Sequence, residues 1–306
     1  MTIPRIAGYP MPHALDLPDN RVAWMPDPTR AVLLLHDLQD YFLDFYDRTQ
    51  PPVPELVRNV LAIRDACDAQ GVPVIYSRQP ELQTSEQRGL LQPWWGPGVT
   101  AQPERAGIDT AVAPRETDCV LTKWRYSAFV STGLRELMHE AGRDQVIVCG
   151  IYAHIGVQTT AVDAFMHDIQ PFVIGDAVAD FSLGEHRQAL DWIAGRCGVV
   201  IDHRRCIESL HEPGGLPTSL DVLRQALARA LDLPLDEVDA DDNPLHLGLD
   251  SIRLMALLER WTRDGGTLGF VDLAERATIR EWWELIASQR FAPQLGTTPR
   301  MVETAA

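Results

Sequence analysis

Between residues 31 and 201, short aliphatic runs alternate with segments of helical spacing, and few folds accommodate that pattern. Ala31 to Leu35, Val72 to Tyr76, Cys119 to Thr122, Val146 to Cys149, Phe172 to Ile174 and Val199 to Ile201 read as strands buried on both faces. Val53 to Gln70, Ser131 to Ala141, Gln158 to Asp168 and Glu185 to Gly195 read as the helices between them. Strand-helix alternation of this kind predicts an α/β fold, a doubly wound, mostly parallel sheet with helices on both faces. Right-handed crossovers carry the carboxyl ends of the strands to one edge, where such sheets bind ligands.

The rest of the chain departs from this rhythm. Residues 1 to 30 are proline-rich and irregular, an arm around the body, and 78 to 114 form a loop-rich excursion containing Trp94-Trp95. Ser209 to Pro217 has linker composition. After it the periodicity is purely helical, over Leu220 to Leu231, Ser251 to Trp261 and Ile279 to Ala287, with a short piece near Phe270 to Arg276. A small C-terminal four-helix bundle is expected. The organisation predicted is a first domain over 1–210, a linker at 211–217, a second domain over 218–290 and a disordered tail over 291–306.

Charge and cysteine use exclude several functions. The net charge of −16 is spread over both halves with no basic stripe, so nucleic acid is not expected as a partner. Such acidity favours solubility and docking to basic protein surfaces. The 5 cysteines are scattered, none in a metal-ligand pair, so neither a zinc site nor a disulfide framework is expected. No run of roughly 18 apolar residues is present, so no membrane span is expected. The N-terminal residues lack a secretory pattern, and a cytoplasmic location is the default expectation. Among the 27 basic residues Lys123 is the only lysine; every other cation is arginine. Lysine is a compact charge with three donors, whereas arginine is a bulky fork, which marks Lys123 as a site candidate.

Asp37, Lys123 and Gly156 each lie just past a predicted strand, so the topology brings them to one edge. An Asp–Lys pair about 4 Å apart attracts by roughly 4 kcal/mol at an effective dielectric of about 20. Taken alone, Asp37 is as readily a turn-capping residue. At Val146 to Ala161 a strand, a tight turn and a helix start follow one another, and the turn centre Ile155-Gly156-Val157 holds neither thiol nor hydroxyl. His154, Asp176 and Asp180 are read as structural, turn or capping groups.

Asp37 in LLLHDLQDYF, Lys123 in TKWRYSAF, and GIYAHIGVQTTA together resemble the isochorismatase-like hydrolase superfamily. Its usual catalytic trio is Asp, Lys and Cys, and the Cys would fall at Gly156. MPHALDLP and QRGLLQPWWGPG extend the resemblance, over residues 1 to 210, to the true isochorismatases, which lack that thiol. The resemblance implies hydrolysis of the vinyl ether of isochorismate to 2,3-dihydro-2,3-dihydroxybenzoate and pyruvate, with Asp37 as general acid. It implies that Lys123 orients Asp37 and helps hold a substrate carboxylate, and that Gly156 leaves space and offers its N–H. It makes Gln79, Arg88, Tyr126 and Tyr152 substrate contacts, has Trp94 close the site, and places a cis peptide before Ala153. No metal is implied for hydrolysis.

Leu247-Gly248-Leu249-Asp250-Ser251-Ile252 opens a helix, and Asp-Ser before an apolar run is on its own only a helix start. In a small acidic bundle after a linker it resembles the phosphopantetheine attachment sequence of aryl carrier domains in siderophore assembly. The resemblance implies 4'-phosphopantetheine on Ser251, with Asp250, Met255 and Phe270 read by partners; periodicity alone makes Met255 and Phe270 equally good core residues. Expected partners are an aryl-acid adenylate ligase, a phosphopantetheinyl transferase and the condensation domain of a nonribosomal peptide synthetase; self-association is left open. Two rival readings stand beside this one. One is a phenazine-type hydrolase of 2-amino-2-deoxyisochorismate, against which the fused carrier argues; the other is a carrier scaffold with a dead hydrolase, against which Asp37 and Lys123 together argue.

Overall fold

Strands form at all six aliphatic runs: β1 (Ala31–His36), β2 (Val74–Arg78), β3 (Cys119–Thr122), β4 (Gln145–Ile151), β5 (Gln170–Ala179) and β6 (Val199–Ile201). They make one sheet in the order β3-β2-β1-β4-β5-β6, with every ladder parallel. The expected α/β class therefore holds. The winding reverses between β1 and β4, and an open parallel sheet binds its ligand at the carboxyl end of such a reversal. The coordinates are a computed structural model describing residues 3–211, 215–262 and 267–290; the expected tail at 291–306 lies outside them.

Alternation along β1 splits the core. Ala31, Leu33 and Leu35 join one apolar cluster with α1 (Val53–Ala69), whose Leu56, Val60 and Ile63 face the sheet. Val32 and Leu34 join the other. There they meet α2 (Leu134–Glu140), α3 (Gln158–Met166) and α4 (Leu183–Arg196) through Leu134, Ala161 and Leu190. Ser182 caps α4 by accepting from Glu185 N, which fixes where that helix starts. The first face is completed by α5 (His203–His211), which the sequence reading did not foresee and which buries Cys206 and Leu210. Asp176 accepts from His203 N at 2.8 Å and pairs with the His203 ring, while Asp202 Oδ1 accepts from Arg204 N and Arg205 N. These groups start α5.

The chain divides into two units, Met1–Pro213 and Gly214–Ala306. The second is built from α6 (Leu220–Leu231), α7 (Ser251–Thr262), α8 (Phe270–Ala274) and α9 (Ile279–Arg290). Leu223, Leu227 and Leu231 on α6 pack with Leu254, Leu258 and Trp261 on α7 and with Trp282 of α9, which is fully buried. No described helix is long and apolar enough to cross a membrane.

Candidate functional site

The residue after β1 takes a conformation few side chains adopt. Asp37 has φ +51°, in the left-handed region that Asp and Asn enter more readily than other non-glycine residues. Its N–H donates to Ser77 O at 3.1 Å, and Ser77 Oγ donates to Asp37 Oδ1 at 2.9 Å. Lys123 arrives from the end of β3 with its own N–H bound to Arg78 O, and its Nζ stands 2.8 Å from Asp37 Oδ2. Nζ also donates to Arg125 O at 2.7 Å and Tyr126 O at 3.3 Å. An ammonium has three hydrogens, and these three acceptors use them all. The side chains are 2% and 7% exposed, so the pair stands where water screens it little.

Opposite lies a π-helical turn, Ala153–Val157, between β4 and α3. Gly156 lines the cleft together with Asp37 and Lys123, so the three sequence candidates do meet. A Cβ at Gly156 would stand 2.2 Å from His36 Cε1, closer than atoms can approach. Glycine is there because the imidazole of His36 already fills that space. His36 is fully buried, and burial pushes its pKa down to about 4, so the ring is neutral near pH 7. Its Nδ1 faces Ile151 O at 3.0 Å and its Nε2 faces Thr160 Oγ1 at 3.2 Å, which assigns the hydrogen to Nδ1. The cis peptide is Ile151–Tyr152, one residue earlier than the bond expected before Ala153. It falls where β4 ends, since Tyr152 is still extended and the turn starts at Ala153.

The cleft holds about 580 Å³ of empty space, counting the open solvent at its mouth. Of the expected substrate contacts, Gln79, Arg88, Tyr126 and Tyr152 line it. Arg88 is buried, yet no carboxylate pairs with it among the described residues; Nε donates to Gly96 O and Nη1 to Gln79 Oε1. Burial lowers its pKa, since its charge stands where water hydrates it poorly. Tyr152 spends its hydroxyl on Phe42 O at 2.8 Å, so it offers the cleft a ring. Trp94 does not serve as expected. It is 64% exposed and lies off the cleft, while Trp95 lines it and donates to Tyr126 Oη at 2.6 Å. Both belong to one helical turn, Leu91–Trp95, where neighbours point about 100° apart, so only one of them faces inward.

Sequence reasoning missed His36, Ser77, Gln39 and Trp95. Gln39 grips the backbone of Gln79 twice, accepting from its N–H and donating to its carbonyl. A polar residue inside or just past an otherwise apolar strand end was the available signal for the first three, because such a group is buried only when bonded. His154, kept apart from the chemistry, is bound to Asp180 at 2.5 Å and does not line the cleft.

In the second unit Ser251 is the first residue of α7 and is exposed. Asp250 caps the helix, its Oδ1 accepting from Arg253 N at 2.8 Å, and the Ser251 hydroxyl has no hydrogen-bond partner among the described residues. Met255 and Phe270 are 54% and 37% exposed, so neither is a core residue. A hydroxyl that is reachable and uncommitted at a helix start fits the attachment of a phosphopantetheine arm.

Comparison with known proteins adds independent findings. The family Isochorismatase domain matches residues 31–205, and the family Phosphopantetheine attachment site matches residues 221–286. The chain is 44% identical over 307 residues to an isochorismatase of Bacillus subtilis (strain 168), covering 96% of this chain and 98% of that one. It is 43% identical over 289 residues to enterobactin synthase component B of Escherichia coli (strain K12), covering 94% and 99%. It is also 47% identical over 211 residues to phenazine biosynthesis protein PhzD1 of Pseudomonas aeruginosa, covering 67% and 99%, so that relative has no length left for a second unit.

Proposed function

Since the chain belongs to the isochorismatase family and joins its hydrolase domain to a phosphopantetheine attachment domain, we propose that it hydrolyses isochorismate and carries an aryl acid for siderophore assembly. One observation carries the hydrolytic half. A carboxyl held at both oxygens faces a cleft whose described lining contains no serine, threonine or cysteine. Such a site suits proton transfer to carbon and offers no thiol or aliphatic hydroxyl for an acyl adduct.

Asp37 takes up a proton together with the dicarboxylate substrate and so enters the step as its general acid. It gives that proton to the methylene carbon of the enol ether, and the double bond's electrons leave an oxocarbenium ion. Water adds to this ion as one of its protons returns to Asp37, and the hemiketal collapses with cleavage of the bond between its carbon and the ring oxygen, its hydroxyl proton passing to that oxygen. Pyruvate departs and the ring keeps its oxygen as a hydroxyl. Lys123 and Ser77 fix the Asp37 carboxyl in place. With all three hydrogens of Lys123 in use, the guanidinium of Arg88, which no described carboxylate neutralises, takes a substrate carboxylate, with Gln79 beside it. Tyr126, Tyr152 and Trp95 wall the ring and keep bulk water out.

In the second unit Ser251 Oγ would hold the arm, whose terminal thiol supplies the thioester on which an aryl acid travels. Asp250, Met255 and Phe270, each exposed, are the acidic and apolar groups offered to a phosphopantetheinyl transferase, an aryl-acid adenylate ligase and a condensation domain. Similarity to the phenazine biosynthesis protein favours a second reading, hydrolysis of 2-amino-2-deoxyisochorismate, but the attached carrier has no task in it.

Pyruvate release, read through lactate dehydrogenase, tests the hydrolase. Wild type should prefer isochorismate over its amino analogue in kcat/KM, and Asp37→Asn should lower kcat by about 10²–10⁴. Undiminished release by Asp37→Asn would refute the assignment. For the carrier, intact mass after incubation with transferase and coenzyme A should show a single added arm, absent in Ser251→Ala. An arm still present in that variant discards Ser251.

A further inference from the structure

The proposed chemistry uses Asp37 and leaves its neighbour His36 without a task, although that ring is enclosed on every side. Nδ1 donates to Ile151 O at 3.0 Å, just before the Ala153–Val157 turn. Nε2 accepts from Thr160 Oγ1 at 3.2 Å, just after the turn, and the same oxygen is held by Ala128 N at 3.0 Å. Behind the ring, the His36 backbone is pressed against β4: a Cβ at Gly150 would stand 2.2 Å from His36 O. The imidazole itself is fully buried and bonded at both nitrogens, which holds it in place. In front of it, a Cβ at Gly156 would meet Cε1 at 2.2 Å and both ring nitrogens at 3.0 Å. Nδ1 lies 3.8 Å from Asp37 Oδ2, beyond hydrogen-bond reach, so His36 does not compete with Lys123 for the carboxyl.

We infer that His36 is a positioning residue of this site: its ring excludes any side chain from position 156 and ties both ends of the turn, so that backbone alone faces Asp37 there. The absence of a nucleophile then belongs to positions 36 and 156 jointly. Replacing Gly156 by a larger residue displaces the turn instead of adding a group to the cleft. Space for a side chain at 156 opens only when position 36 shrinks.

A double-mutant cycle on the full chain tests this, following the melting transition of the hydrolase unit and, separately, pyruvate release. The activity arm rests on the hydrolase reading above; the melting arm does not. His36→Asn keeps a donor near Nδ1 and lacks Cε1, the colliding atom. Gly156→Ala alone should lower the melting temperature by roughly 5–10 °C. In the His36→Asn background the same change should cost less than half as much. Equal costs in the two backgrounds would overturn the steric half of the inference. His36→Leu fills similar space without either hydrogen bond. Assayed well below its melting temperature, it should lose about 10²-fold in kcat with KM changed little, as a displacement near 1 Å does. A kcat equal to wild type in His36→Leu would overturn the positioning half. Should wild type release no pyruvate, the hydrolase reading has failed, and the melting cycle alone then decides the inference.

Discussion

Three acceptors surround the ammonium of Lys123, one carboxylate oxygen and two carbonyls, in a place that is 2% exposed. A guanidinium spreads its donors in a plane and needs more room, so Lys123→Arg, conservative in charge, is not conservative here. It should lower kcat by about 10²-fold or more by pushing the Asp37 carboxyl out of line. Lys123→Met keeps the volume and removes the charge, leaving Asp37 buried and unpaired at a cost of about 3–5 kcal/mol in urea unfolding. Adding Asp37→Asn to Lys123→Met should return part of that loss, since the carboxylate would no longer need a partner. If the double variant is no more stable than Lys123→Met alone, the ion pair is not what holds this corner of the site. The singular lysine was legible from the sequence because every other cation is arginine.

The elements were legible where burial is total and obscure where it is partial. Strands covered on both faces have aliphatic centres, which made five of the six legible, with β4 and β5 longer than those centres; β3, at the sheet edge with Val120 and Thr122 exposed, is legible from its short apolar run alone. The β5 run looks finished at Gly175-Asp176, yet it continues to Ala179 because its ladder with β4 resumes past an irregularity, Val178 opposite Gly150 and Ala179 opposite Ile151. Helix α5 was missed although Cys206, Ile207 and Leu210 stand at helical spacing, because its last turn, from Ser209, shares the composition of the linker that follows. The three site positions at strand ends were read correctly as converging, whereas side-chain direction within the 78–114 excursion could not be read. Trp94 and Trp95 are adjacent and chemically identical, and only the phase of their helical turn separates them. Trp95→Phe removes the donor to Tyr126 and should raise KM several-fold; Trp94→Ala should leave both kinetic constants within about twofold, as surface changes do. The reverse ranking of these two variants would mean that the excursion closes differently over bound substrate.

For the molecule as a whole, buried neutral histidines predict how stability responds to acid. Burial pushes both His36 and His186 down to about 4. His186 is fixed in its neutral form by two partners, accepting from Tyr9 Oη at Nδ1 and donating from Nε2 to Gly175 O. In the unfolded chain a histidine takes up its proton near pH 6.5. Above that pH neither state is protonated and the contribution of these rings is complete. As pH falls from 6.5 towards 4, the unfolded state gains protons that the folded state refuses, so stability drops by about 1.4 kcal/mol per pH unit for each ring. His154 behaves oppositely: burial resists its charge, but the hydrogen bond to Asp180 wins and raises its pKa. Its contribution is present below pH 6.5 and fades only as pH rises through the folded value, so it adds no slope on the acid side. In urea unfolding of the hydrolase unit the two rings should therefore cost about 4 kcal/mol between pH 7.5 and 5, less the part that His154 returns as it takes up its proton above pH 6.5. His186→Gln should halve the cost from the two rings while lowering stability at pH 7.5. A stability that stays flat between pH 7.5 and 5 would show that these two rings are protonated within the fold, and the hydrogen bond assigned from Thr160 to His36 would then have to be reversed.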